Sequence, residues 1–182
     1  MILKEKFNTV DLVRVALFCA FIAVCSFVSI PIGAVPITLQ LFGVYFALYA
    51  GGGGKGAMSV LLYVLLGVVG LPVFSGFCGG VSRLFDTTGG FIWGFLLLSI
   101  VYLAVEKLLS GVKYNRIIAT VVSLLVFYAC GSVWYCMVYL ADFGSMGTAL
   151  AVTVFPFIAF DAVKIFLALA VAKRLRKFLH IT

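Results

Sequence analysis

The sequence predicts an all-α integral membrane protein with six transmembrane helices and both ends on the cytoplasmic side. Three observations carry this reading. Of its 182 residues, 65% are hydrophobic and 10% are charged, where a soluble domain has about half and a quarter. So few polar side chains cannot cover a globule, so much of the surface faces lipid, which excludes the disordered, collagen-like and disulfide-stapled secreted classes. The apolar residues fall into runs near the roughly 20 that cross a bilayer, and the cations gather at one side of those runs.

In order, the runs are Asp11–Ile30, Ile37–Ala50, Gly56–Gly70, Gly89–Val105, Ile117–Leu140 and Thr148–Ala172. Pro31 and Pro36, the Gly51–Gly54 tetrad, Pro72, and Gly144 with Gly147 separate them. The second and third runs are too short to cross comfortably, so they are expected to be extended by their flanks or shielded by protein. With both ends cytoplasmic, 11 of the 13 Lys and Arg fall inside, which is the bias that sets topology. These are Lys4, Lys6, Arg14, Lys55, Lys107, Lys113, Arg116, Lys173, Arg174, Arg176 and Lys177; Arg83 is left outside and Lys164 within a span. The net charge of +7 therefore reads as topology and anionic-lipid contact, not nucleic-acid binding. A single membrane domain over residues 1–182 is expected, starting at Met1 with no cleavable signal pattern. No internal repeat is visible, which argues against an inverted-repeat transporter.

The expected external loop, Leu71–Thr88, is rich in Gly and aromatics, with Arg83 and Asp86 its only charges. Such a loop packs onto something, either as a lid over a cavity or as an interfacial hairpin. Asp161 and Lys164 stand inside the sixth run. Ionisable groups at membrane depth are expensive and face the bundle interior, and the i, i+3 spacing puts this pair on one face of a helix. Pro156, five residues before Asp161, frees a backbone carbonyl nearby. Val35-Pro36-Ile37-Thr38-Leu39-Gln40 adds a hydroxyl at Thr38 and an amide at Gln40. Tyr45, Tyr49, Tyr63, Trp93, Trp134, Tyr135 and Tyr139 suit either membrane-interface belts or a ligand cavity.

No catalytic pattern emerges. His180, the single histidine, sits in the basic tail, so histidine-based nucleophilic and zinc chemistries lack a base or ligand set. Gly51-Gly52-Gly53-Gly54-Lys55-Gly56 lacks the Gly-Lys-Ser/Thr ending of a phosphate-binding loop. The five cysteines fit no metal or redox spacing and read as packing thiols. The expectation is a protein without metal, cofactor or enzymatic activity, with any ATP hydrolysis done by a partner.

Several motifs together resemble the biotin-specific S components, of the BioY type, of energy-coupling factor (ECF) transporters. They are Val35-Pro36-Ile37-Thr38-Leu39-Gln40, Gly70-Leu71-Pro72-Val73-Phe74, Thr88-Gly89-Gly90-Phe91, and Pro156 with Asp161 and Lys164, in the family's order over nearly the whole chain. Asp86-Thr87-Thr88-Gly89-Gly90-Phe91 stands where the family usually has Gly-Pro-Thr-Gly-Gly-Tyr. Ala16 and Ala20, one helical turn apart, resemble the small-residue docking signature of S components. The resemblance implies a protein of the prokaryotic cytoplasmic membrane that captures biotin outside and delivers it inward. A transmembrane coupling subunit and two ATP-binding subunits would drive the delivery. Asp161, Lys164, Arg83, Gln40 and Thr38 are the expected ligand residues, with Lys164 addressing either the ureido oxygen or the carboxylate of biotin. An S component for another vitamin and a non-transporting membrane scaffold or enzyme are the alternatives.

Overall fold

A computed structural model of the chain describes residues 8–31, 35–140 and 145–179. Met1, Lys4, Lys6, Gly144 and His180 lie outside the described residues. The described residues are mostly helical, and among them four helical segments are long and apolar enough to cross a membrane: Thr9–Phe27, Gly89–Leu108, Asn115–Leu140 and Phe155–Lys177.

Helix α1 (Thr9–Phe27) starts on Asn8, whose side-chain oxygen accepts from the Thr9 N–H at 2.7 Å and so serves a donor that the first turn leaves unpaired. A two-residue antiparallel ribbon follows, β1 (Ser29–Ile30) with β2 (Ile37–Thr38), Ser29 opposite Thr38. It starts α2 (Gln40–Gly51) beside the end of α1. At 12 residues α2 is about 18 Å long, well short of the roughly 30 Å hydrocarbon core. Every residue from Gly43 to Ala50 is buried, because α1, α3 and α7 pack around it. Of the two solutions open to so short a run, shielding by protein is the one adopted.

Gly52 alone, at φ 76°, separates α2 from α3 (Gly53–Val69); that left-handed backbone suits glycine and lets the chain reverse in one residue. α3 ends on Gly70 at φ 113°, where the Gly70 and Leu71 N–H groups return to the Gly67 and Leu66 carbonyls, both at 3.1 Å, a left-handed cap. A turn pairs the backbones of Phe74 and Cys78, and a short 3-10 turn (Val81–Leu84) leads into α4 (Gly89–Leu108). α4 interlocks with α5 (Asn115–Tyr135), small residue against large: Gly90 under Trp134, Gly131 under Phe91, Gly94 against Phe127. A π-helical turn, Cys136–Leu140, extends α5.

The expected sixth span, Thr148–Ala172, is two helices, α6 (Met146–Thr153) and α7 (Phe155–Leu179). The break falls at Val154 because Pro156 has no N–H to continue α6, yet fits the first turn of α7, where none is needed. Around α7 the burial is inside-out. Phe157, Asp161, Lys164, Ala168 and Ala172 are buried, while Phe155, Phe160, Val163 and Phe166 are exposed. A polar stripe within and an apolar face without is what lipid selects.

Ion pairs gather four helix ends at one end of the bundle. Asp11 at the start of α1 pairs with Lys55 at the start of α3 (2.6 Å), and Glu106 at the end of α4 pairs with Arg116 at the start of α5 (3.3 Å). Glu106 also lies against Gly53, and the Arg176 guanidinium against Gly52. The first turn of α3 thus receives a carboxylate, favourable against its helix dipole. Tyr45 and Tyr49 are neither interfacial nor exposed to a cavity. They are buried among the helices, where Tyr45 Oη donates to the Thr120 carbonyl at 3.1 Å and Tyr49 Oη lies 2.7 Å from Thr120 Oγ1.

Candidate functional site

At the end opposite the ion pairs, the start of α2, the loop 71–88, the first half of α4, the middle of α5, the end of α6 and the first half of α7 enclose a cavity of about 110 Å³. That is several times the room one water needs. Its apolar wall includes Leu41, Phe74, Phe91, Phe95, Phe127 and Phe157. Thr38, Gln40, Arg83, Asp161 and Lys164, the five residues singled out from the sequence, all line it. A mostly apolar, aromatic wall with a few convergent polar groups is the usual build of a small-molecule site.

The charged pair in the cavity wall is on α7. Lys164 Nζ donates to Asp161 Oδ1 at 2.7 Å, and Tyr128 Oη donates to Asp161 Oδ2 at 2.7 Å. Asp161 and Lys164 are 4% and 7% exposed, so each is the other's main compensation for lost hydration. Each carboxylate oxygen keeps a free lone pair, and the ammonium keeps two protons. The pair can therefore accept from and donate to a polar ligand at one point.

On the opposite wall, Thr38 Oγ1 accepts from the Gln40 N–H at 3.3 Å, capping a helix start that has no other side-chain cap. Gln40 Nε2 donates to Tyr63 Oη at 2.8 Å, and Tyr63 Oη donates to the Val73 carbonyl at 3.1 Å. Ser26 Oγ donates to the same carbonyl at 2.5 Å. The loop 71–88 is thereby tied to α1 and α3, and Phe77 at its tip stacks on Phe27 at 4.4 Å. Phe74, Ser75, Arg83 and Thr88 of this loop form part of the cavity wall.

Arg83, at the mouth, pairs with Asp86 at 2.8 Å, both roughly two-fifths exposed. Asp86 occupies one of the positions where the sequence departs from the pattern it otherwise resembles, and here it is held at several points. Its carboxylate holds Arg83 and accepts from the Thr87 N–H at 2.7 Å, and its carbonyl accepts from Trp134 Nε1 at 2.9 Å.

The family model described as "BioY family" matches residues 3–181. The chain belongs to the BioY family. It is 40% identical over 168 residues to the biotin transporter BioY of Thermotoga maritima, covering 92% of this chain and 96% of that one. It is 36% identical over 164 residues to a probable biotin transporter BioY of Pyrococcus horikoshii, covering 89% and 93%. Among solved structures, the S component for biotin from an ECF-type ABC transporter superposes with a TM-score of 0.81 at 28% identity, over 92% of this chain and 90% of that one. The BioY relatives and the solved neighbour are named as transporters or transporter components.

Tyr128 is the residue that sequence reasoning passed over. It lies beside Phe127 in an apolar run, and a hydroxyl at membrane depth was its one signal; which way it faces depends on how α5 packs against α7. Ala16 and Ala20 are both exposed on α1.

Proposed function

We propose that this BioY chain is the biotin-binding S component of an ECF-type importer, a multi-pass protein of a prokaryotic plasma membrane. The observation that carries the reading is the buried Tyr128–Asp161–Lys164 group opening into an aromatic cavity in a chain of this family. Biotin presents two ureido N–H donors, a ureido carbonyl, an apolar bicycle and a carboxylate tail. Asp161 accepts from a ureido N–H, and Lys164 donates to the ureido oxygen, since the two side chains share one point deep in the cavity. The tail carboxylate lies toward Arg83, which is half-exposed at the mouth and lets that charge stay near water. Thr38 and Gln40 complete the polar wall, and the bicycle packs on the phenylalanines.

Residues 1–182 form one domain that crosses the membrane six times, with α7 making the last crossing and α6 leading into it. Both ends are cytoplasmic. Support comes from the ion pairs of Arg14, Lys55 and Arg116 at one end of the bundle and the cavity at the other. The cavity accordingly faces outward. Ala16 and Ala20 dock a transmembrane coupling subunit, and two ATP-binding subunits supply the energy. Their exposure on α1 supports this.

Mass spectrometry of the small molecule released on denaturing the purified protein, with saturation binding of labelled biotin, tests the reading. Biotin in about equimolar amount is expected. A different vitamin would move the chain to another specificity, and an empty protein that binds no biotin would remove the transport reading.

A further inference from the structure

The hydrogen-bond chain behind Gln40 has a fixed direction, and the direction decides what the cavity shows to its ligand. Val73's carbonyl can only accept. Tyr63 has one hydroxyl proton, which it gives to that carbonyl at 3.1 Å, so toward Gln40 it can only accept, and Gln40 Nε2 donates to it at 2.8 Å. The amide's NH2 end is thereby engaged behind the wall, and its carbonyl is the end left for the cavity that Gln40 lines. Reversing the amide would turn Tyr63's only proton to Gln40 and leave the Val73 carbonyl with Ser26 alone, a net loss of one bond. Gln40 and Tyr63 are 6% and 0% exposed, so water does not replace what is lost.

The geometry points to Tyr63, which does not itself line the cavity, as a positioning residue for specificity. It locks the Gln40 amide so that the site offers an acceptor and selects a ligand carrying an N–H donor at that point. This rests on the biotin reading above and deepens it. A ureido ring has two N–H groups; Asp161 serves one, and the Gln40 carbonyl is the acceptor for the other.

The test compares biotin with its two cyclic carbamate analogues, in which one or the other ureido N–H is replaced by oxygen. Against the parent protein, the analogue that loses the Gln40 donor is expected to bind at least about a hundredfold more weakly than biotin, because an oxygen then faces an oxygen. In Tyr63→Phe that gap narrows by about tenfold, the weight of one net hydrogen bond, because the released amide can turn its NH2 to the ring oxygen. A purely structural role for Tyr63 would weaken all three ligands alike and leave the gap unchanged, and that result overturns the proposal.

Gln40 is the only glutamine in the chain, so labelling with 15N-glutamine yields a single side-chain NH2 signal pair from the parent protein. One proton of the pair is expected to be protected from exchange with water, with or without ligand; rapid exchange of both overturns the proposal even where Tyr63→Phe does not fold. A parent protein that binds no biotin would defeat the functional reading, and the amide signal would still decide the orientation.

Discussion

Lys164→Met removes one charge of the α7 pair and strands the other. Asp161 would keep only Tyr128, at 2.7 Å, at a site where both partners of the pair are more than nine-tenths buried. Two unit charges about 4 Å apart attract by about 4 kcal/mol at an effective dielectric of about 20, and breaking a buried pair costs about 3–5 kcal/mol in measured cases. With the Tyr128 bond intact, the low end applies, so the ligand-free variant is expected to lose about 3 kcal/mol of stability. Biotin would also lose a charged donor, worth about 1.5–3 kcal/mol, so Kd should rise by roughly ten- to a hundredfold or more.

The double variant Asp161→Asn with Lys164→Met separates the two effects. It buries no charge, so stability should return to within about 1 kcal/mol of the parent, while biotin binding stays lost. Thermal unfolding in detergent and calorimetric titration with biotin read both quantities. A Lys164→Met protein with the parent's stability and affinity would refute the reasoning, as would a double variant no more stable than the single one.

Three further outcomes are expected. Hydrogen exchange should slow between Phe74 and Phe85 when biotin is added, because this stretch lines the cavity between the tied points at Val73 and Asp86; equal protection at saturating biotin would count against a lid. Ala16→Trp or Ala20→Trp should leave folding and biotin binding intact, since both sites are exposed, but block assembly with a coupling subunit and ATP-dependent uptake; full uptake with tryptophan at both would remove this surface from the mechanism. Gly67→Ala would place a methyl group inside the Phe74 ring, so it should cost about 1–3 kcal/mol of stability and weaken biotin binding by displacing a cavity wall; a variant as stable and as tight-binding as the parent would show that the ring shifts freely.

The weak point of a sequence reading is which way each side chain faces. Seven aromatic residues were open to a belt or a cavity, and the packing divides them. Tyr45, Tyr49 and Tyr63 are buried among the helices, Tyr139 is exposed, and Trp134 ties α5 to Asp86. None of the seven lines the cavity; the tyrosine that does is Tyr128. Aromatic rings suit lipid interfaces, cores and binding sites equally well, so composition cannot separate these uses.

The sequence by itself determined that the chain lives in lipid, where the first five helical runs lie, and that Asp161 and Lys164 turn inward; the break at Val154 that divides the sixth run into two helices it did not show. What it determined follows from local chemistry: an apolar run of given length, a proline without an N–H, and charges too costly to face hydrocarbon. The motifs likewise sufficed to pick Thr38, Gln40 and Arg83, although these come from separate parts of the chain. Only the tertiary structure decided that α2 is sheathed by its neighbours, that these residues meet around one cavity, and that Tyr128 and Tyr63 orient its polar groups. Those facts depend on how helices rotate and pack against one another, which is settled by side chains far apart in sequence meeting as small against large: Gly90 with Trp134, Gly131 with Phe91, Gly67 with Phe74.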